Sequence, residues 1–134
     1  MKRINVGVIG TGWCGGIRAN TCANSGLVDE LHIAEINQQR LDEVVEETGP
    51  KTATTDYKDL LAIDAIDTFI ISATPEITHY PMALECLQAG KHVFLEKPIS
   101  LTLKEADELV DLANDNDLKF TIGYSQRFNP KFAY

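Results

Sequence analysis

The segment Ile4–Gly16 constrains the fold of this chain most strongly, because it joins a short apolar run to a glycine-rich loop. The run Ile4–Ile9 is apolar enough for a strand buried on both faces, as in a parallel sheet. After it, Gly10 can take a tight turn, Gly12 leaves no side chain between the backbone and a phosphate, and Gly15 lets a helix pack close to its strand. The pattern predicts a pyrophosphate held at a helix N-terminus. Glycines with this spacing also occur in loops that bind nothing.

The residues between these glycines, Thr11, Trp13 and Cys14, are predicted to belong to the same cofactor-binding loop. A helix start favours the thiolate form of a cysteine, but packing beside the cofactor is the preferred interpretation of Cys14. The cysteines are three in number and lack C-x-x-C or histidine-rich spacing. This usage predicts a reducing, cytoplasmic environment and no metal site.

Glu35 lies near the end of the second predicted strand, twenty positions after Gly15. Dinucleotide-binding folds place at this spacing the acid that accepts hydrogen bonds from the adenosine ribose. Because a carboxylate repels a ribose phosphate, Glu35 favours NAD over NADP, while Arg40 nearby keeps NADP possible. Without the glycine loop, an exposed strand end would be the preferred interpretation of Glu35.

Strands and helices alternate along the whole chain, without repeats or an internal linker. This alternation predicts an α/β fold, a doubly wound parallel sheet with right-handed crossovers, whose ligand site lies at the carboxyl ends of the strands. The length of 134 residues and the hydrophobic share of 44% fit one compact domain. Predicted strands cover 4–9, 31–36, 53–55, 67–73, 92–95 and 118–123, and predicted helices cover 15–25, 37–49, 56–62 and 74–90, with a last helix behind a capping box at Thr102 and Glu105.

The residues that follow the strands should therefore line one crevice. Ala73, Thr74 and Pro75 follow the fourth strand, and Glu96, Lys97 and Pro98 follow the fifth. A lone lysine is most often half of a surface salt bridge. Lys97, with a carboxylate before it and a proline after it at a buried strand end, is predicted to be positioned for a ligand.

These motifs resemble those of one enzyme family. The glycine loop, the Ala73-Thr74-Pro75 turn with His79 after it, the block Gly90-Lys91-His92-Val93 leading into Glu96-Lys97-Pro98, and Arg127-Phe128-Asn129-Pro130 occur in this order in the Gfo/Idh/MocA oxidoreductases. That family includes glucose-fructose oxidoreductase and inositol dehydrogenase. The resemblance runs from Ile4 to the last residue.

The resemblance implies a Rossmann-type NAD-binding domain over residues 1–125. Residues 126–134 would start the segment leading into a C-terminal α/β substrate domain that is absent here. The chain is expected to be a fragment, inactive alone, in preference to a natural truncation. The full-length protein is expected to bind a small sugar or polyol and to form a homo-oligomer.

The resemblance also implies residue roles. Lys97 matches the family lysine beside the nicotinamide, which contacts the substrate hydroxyl, and Glu96 forms the same turn against the cofactor. Ala73, Thr74, Pro75 and His79 match the segment lining the adenosine and pyrophosphate, although His79 could equally be a helix residue with an ordinary hydrogen bond. Gln126 and Arg127 match the stretch beneath the nicotinamide, where many relatives carry asparagine in place of Ser125.

Oxidation of a secondary alcohol needs a hydride acceptor and a group that takes the hydroxyl proton. NAD supplies the first, and Lys97 can supply the second if burial and neighbouring positive charge favour its neutral form. In relatives an Asp and a His from the second domain share this task.

Other functions compete with this one. A net charge of −8 and a pI near 4.7 argue against nucleic-acid and anionic-membrane surfaces, and no stretch approaches membrane-spanning length. A stand-alone NAD(H)-binding sensor without catalysis remains an alternative. So does a methyltransferase, because S-adenosylmethionine sites also combine a glycine loop with an acid after the second strand, although Glu96-Lys97-Pro98 would then have no task.

Overall fold

A computed structural model describes residues 2–132 as a six-stranded parallel sheet with helices on both faces. The strand order is β3-β2-β1-β4-β5-β6, which confirms the predicted doubly wound sheet. The strands are β1 (Ile4–Ile9), β2 (Val28–Ala34), β3 (Thr52–Thr54), β4 (Thr68–Ile71), β5 (His92–Leu95) and β6 (Phe120–Ile122). The helices are α1 (Trp13–Ala23), α2 (Gln38–Thr48), α3 (Tyr57–Leu61), α4 (His79–Gln88) and α5 (Leu103–Asp115), with 3-10 turns at Glu76–Thr78 and Ser125–Phe128.

The central strand β1 positions the site, because the chain runs outward from it in both directions. It pairs with β2 on one side and with β4 on the other. The connections after β1 and after β4 therefore leave opposite faces of the sheet, and their divergence opens a crevice at the carboxyl ends. Gly7, in the middle of β1, makes room for its neighbour: a Cβ there would lie 2.5 Å from the ring of Phe69.

Two apolar clusters fill the two faces. One joins α1 and α2 to the sheet, and the other joins α3, α4 and α5 to it. Their buried members include Val8, Ala19, Ile33 and Val44 on the first face and Phe69, Ile71, Cys86, Leu95 and Leu109 on the second.

Helices α2 and α5 are capped, and of the predicted capping box the Thr102 half is found among the described residues, without the return bond from the Thr102 amide to the Glu105 side chain. The Asn37 side chain accepts from the Arg40 amide, Gly49 ends α2 in the left-handed region at φ 56°, and Thr102 accepts from the Glu105 amide.

Helix α1 contacts the sheet through its smallest residues rather than through its largest apolar ones. The helix starts at Trp13, Ile17 is 55% exposed, and Ala23 faces solvent. It packs instead through Gly15, Gly16, Ala19 and Cys22, because these small residues allow it to approach the sheet closely. Predicted edges also shift elsewhere: β2 ends at Ala34 rather than residue 36, and α4 begins at His79 after the 3-10 turn rather than at residue 74.

Within residues 2–132, the helices are too short or too polar for any of them to cross a bilayer.

Candidate functional site

A cleft of about 630 Å³ lies at the carboxyl ends of β1, β2 and β4. Six of the predicted cofactor residues line it: Gly10, Gly12, Glu35, Arg40, Ala73 and Thr74. Sequence reasoning missed the rest of its lining, which includes Ile36, Asn37, Thr55, Asp56, Tyr57, Ser72, Thr78 and Met82.

The three loop glycines meet different demands. Gly10 has φ 82°, and a Cβ there would lie 2.7 Å from the backbone of Ala73. A Cβ at Gly15 would lie 1.9 Å from the Gly10 carbonyl oxygen. A Cβ at Gly12, in contrast, would meet no protein atom within 4 Å, although Gly12 lines the cleft. The protein's own packing therefore requires the first two glycines, whereas the space at Gly12 is free for a ligand.

Glu35 holds the glycine loop from the adjacent strand. Its Oε2 accepts hydrogen bonds from the amide of Thr11 at 2.6 Å and from the Thr11 hydroxyl at 3.0 Å, and its Oε1 accepts from the Asn37 amide at 3.0 Å. Thr11 is buried beneath the loop and does not line the cleft. Glu35 lines the cleft, where its predicted contact with a ribose stays a prediction, and its hold on the glycine loop is a second task that the spacing from Gly15 does not indicate.

Arg40 lies between the cleft and the outer groove that separates α1 from α2, and it lines both. Its Nε donates to the Thr11 carbonyl oxygen at 2.7 Å, and its Nη1 lies 3.0 Å from Glu43 and 3.8 Å from Glu47. Its terminal nitrogen also occupies the space a Cβ of Gly16 would need. The guanidinium is thus already engaged by a carbonyl and two carboxylates, which makes it a weak candidate for a ribose phosphate.

Ser72, the first residue after β4, lines the floor of the cleft. It is 8% exposed, and its hydroxyl has no hydrogen-bond partner among the described residues. The hydroxyl oxygen is itself buried, and the Ser72 Cβ lies 3.1 Å from the position of a Cβ at Gly15, so the unpaired hydroxyl is not a contact for a ligand in the cleft. The predicted strand 67–73 included Ser72, whereas β4 ends one residue before it.

The Lys97 turn lies outside the cleft lining. Lys97 itself is exposed, and no hydrogen bond or ion pair of its ammonium is found within residues 2–132. The burial that the sequence-based mechanism requires is therefore absent from this part of the chain. Its neighbour Glu96 pairs with Arg18 of α1, a residue that the sequence analysis did not single out.

His79 is 2% exposed and does not face the cleft. Its Nδ1 lies 2.7 Å from the carbonyl oxygen of Pro98, and its Nε2 lies 3.0 Å from that of Ala73. The ring therefore bridges the turns that follow β4 and β5.

Five other predicted cofactor residues are not brought into the cleft. Trp13 is 84% exposed and faces an outer groove between α1 and α2, Cys14 is half-buried, and Gln126 and Arg127 are exposed. Pro75, in extended conformation, caps the 3-10 turn that leads into α4. Their roles stay predictions.

The buried cysteines are unsuited to chemistry. Burial raises the pKa of Cys86 to about 12 and also raises the pKa of Cys22. No cluster of His, Cys, Asp and Glu suited to a metal ion occurs in the described part of the chain.

Comparison with known proteins decides the family. Residues 4–124 match the model of the Gfo/Idh/MocA oxidoreductases, described as an oxidoreductase family with an NAD-binding Rossmann fold. The chain belongs to this family. The resemblance and the NAD-binding fold inferred from the sequence are thereby confirmed, and NAD is the cofactor of the family, in place of S-adenosylmethionine.

Individual relatives differ in their stated activities. The chain is 30% identical to myo-inositol 2-dehydrogenase of Thermotoga maritima over 132 residues, covering 96% of this chain and 38% of the relative. It is 36% identical to a glycosyl hydrolase family 109 protein of Shewanella baltica over 122 residues, covering 84% and 26%. A crystal structure of scyllo-inositol dehydrogenase from Lactobacillus casei with NAD(H) and scyllo-inositol superposes with a TM-score of 0.87 at 29% identity, covering 96% and 38%. The chain thus spans well under half the length of these relatives.

Proposed function

We propose that this chain is the NAD-binding domain of an oxidoreductase that transfers hydride between NAD and a secondary alcohol of a sugar, polyol or related small molecule. The observation that carries the proposal is the cleft at the carboxyl ends of β1 and β4, whose connections leave opposite faces of the sheet. In this cleft Gly12 leaves space that no protein atom fills. Membership of an NAD-binding oxidoreductase family supports the reaction class.

The residues around the cleft fit a dinucleotide. The amides at the start of α1 and the glycine loop would hold the pyrophosphate. Glu35 would accept from the adenosine ribose, since an ionised carboxylate has about four acceptor sites and the protein uses three of them here. Ile36, 88% exposed at the lip of the cleft, offers an apolar surface to the adenine.

Lys97 is the residue proposed to act on the substrate. Bound NAD would supply the hydride acceptor, and Lys97 would hold or move the proton of the substrate hydroxyl. Because its ammonium is exposed in this domain, the groups that desolvate it and share the proton would come from other parts of the complete protein.

Calorimetry with NAD and NADP on this chain tests the cofactor proposal. We expect NAD to bind and NADP to bind more weakly, because the carboxylate of Glu35 repels a ribose phosphate and Arg40 is engaged elsewhere. Failure of both dinucleotides to bind a folded sample at millimolar concentration would overturn it.

The catalytic proposal is tested in a complete protein that contains this domain. Lys97→Ala should lower kcat by at least about 100-fold, the usual contribution of a positioned acid or base, while the affinity for NAD stays within several fold. Lys97→Arg is the matched control, since it keeps the charge but cannot give up its proton. Normal turnover in Lys97→Ala removes Lys97 from the mechanism.

The substrate class needs its own assay, because the relatives include inositol dehydrogenases and a glycosyl hydrolase family 109 protein. NADH formation with a panel of inositols and sugars, run beside release of the aglycone from glycosides, separates these activities. Binding of NAD without turnover of any alcohol would instead favour the sensor function.

A further inference from the structure

Arg18 joins the helix of the cofactor loop to the turn that carries Lys97. It lies on α1, one turn after Gly15, and its guanidinium pairs with the carboxylate of Glu96, the residue directly before Lys97. The two side chains are only 23% and 14% exposed. The guanidinium also lies over the ring of Phe94, 4.6 Å from its centroid, which is cation–π geometry.

The residue after β6, Gly123, also packs against the Arg18–Glu96 ion pair. A Cβ at Gly123 would lie 3.0 Å from the Glu96 carboxylate and 3.1 Å from the Arg18 guanidinium. Glycine at this buried position therefore leaves just enough room for the pair. Three separate elements, α1, β5 and β6, thus converge on one ion pair beside Lys97.

The other flank of Lys97 is held as well. His79 reaches the carbonyl oxygen of Pro98, the residue directly after Lys97, and anchors it to Ala73. The backbone on both sides of Lys97 is fixed, while the lysine side chain is left free of hydrogen bonds within residues 2–132.

Stability alone does not account for the pair. Desolvation offsets much of the attraction between part-buried charges, and apolar replacements are often as stable. An ion pair that fixes the backbone next to a reactive side chain has a different advantage. A small displacement of that side chain from its working position strongly lowers the reaction rate.

We propose that Arg18 is a positioning residue for Lys97: through Glu96 it locks the Lys97 turn to the helix of the dinucleotide loop. The proposal rests on the role of Lys97 proposed above. It assigns to Arg18 no contact with substrate or cofactor.

NMR relaxation of the Lys97 amide tests the proposal without requiring a cofactor. In the wild-type chain we expect an order parameter of about 0.85, typical of a rigid backbone, and in Arg18→Ala a value below about 0.6. Arg18→Lys should restore part of the rigidity, since it keeps the charge. Arg3→Ala is the matched control, because Arg3 forms a comparable ion pair with Asp29 on an exposed surface.

Glu96→Gln keeps the measurement possible if Arg18→Ala does not fold, because it removes the charge without changing the shape. It should loosen the Lys97 amide in the same way. An unchanged order parameter in either folded variant overturns the proposal. If the wild-type chain did not bind NAD, the proposed function would be overturned instead. The order parameter of the Lys97 amide can be measured in either case.

With NAD bound, a second signal is expected. The 13C-methyl resonance of reductively methylated Lys97, assigned by its loss in Lys97→Arg, should shift on NAD addition in the wild type and shift by less than half as much in Arg18→Ala. ADP-ribose, which lacks the nicotinamide, should bind wild type and variant within twofold of each other. An equal Lys97 shift in both proteins contradicts the proposal.

Discussion

At the scale of single residues, Gly10 is needed for the fold, whereas Gly12 is needed for the space that a ligand would occupy. Gly12→Ala adds a Cβ that meets no protein atom, so the free energy of unfolding should change by no more than about 1 kcal/mol, the usual cost of alanine at a helix N-cap. NAD affinity should nevertheless fall at least tenfold, about 1.4 kcal/mol, because the methyl group enters the cleft. Urea denaturation and calorimetry measure the two effects.

Gly10→Ala is the matched variant. Its residue has φ 82°, and the new Cβ would overlap the backbone of Ala73, so a loss of stability of about 2 kcal/mol or more is expected. Equal stability of the two variants, or full NAD binding by Gly12→Ala, would contradict this division of roles.

Glu35 combines a ligand role with a structural one, and Thr11 allows the two to be measured apart. Glu35→Ser should narrow the preference for NAD over NADP, and it should also cost about 1–3 kcal/mol of stability because the Thr11 amide loses its acceptor. Thr11→Val removes only the hydroxyl bond and should leave the NAD-to-NADP affinity ratio unchanged. Calorimetry with NAD and NADP measures the ratio of the two affinities. An unaltered ratio in Glu35→Ser would mean that residues other than Glu35 determine the preference for NAD over NADP.

At the scale of elements, a tyrosine hydrogen bond links α3 to α4. The hydroxyl of Tyr57 donates to Glu85 at 3.1 Å, and burial followed by this hydrogen bond raises the pKa of Tyr57 from 10.0 to about 12. The unfolded chain releases this proton near pH 10 and the folded chain only near pH 12. Between these values the folded state binds more protons, so this contribution to stability is lost as the pH rises.

Tyrosine absorbance measured against pH tests this link. Tyr57→Phe should remove the ionisation near pH 12 and flatten the fall in stability above pH 10. Tyr80→Phe is the control, because Tyr80 donates to Glu108 on the exposed surface. In this variant the absorbance change near pH 12 that belongs to Tyr57 should persist. If the absorbance change near pH 12 also persisted in Tyr57→Phe, it would belong to another group.

At the scale of the whole molecule, the fold followed from the sequence because parallel strands are short, apolar and punctuated by glycine and proline. Their carboxyl ends must then share one edge, so the sequence alone predicts that Gly10, Glu35 and Ala73 lie together. Side chains that reach across the fold were not predictable. The Arg18–Glu96 contact spans 78 positions, and the contact of Arg40 with Thr11 spans 29. Local periodicity carries no information on either.

The packing of the sheet also determines the response of the molecule to acid, through His32 in β2. The ring is 1% exposed, and neither nitrogen has a hydrogen-bond partner among the described residues. Burial lowers the pKa of His32 below 6.5, and this outweighs the opposite effect of the Glu30 carboxylate 3.5 Å away. Below pH 6.5 the unfolded chain therefore binds a proton that the folded chain does not, and stability falls as the pH falls.

His32→Leu should remove this contribution. Urea denaturation at pH 7.5 and pH 5.5 should show a smaller loss of stability in the variant, the difference in slope being at most about 1.4 kcal/mol per pH unit for one proton. Since leucine also fills the apolar site without an unpaired polar atom, the variant should be at least as stable as wild type at pH 5.5. A slope identical to that of the wild type would mean that the acid sensitivity of the fold arises from other groups.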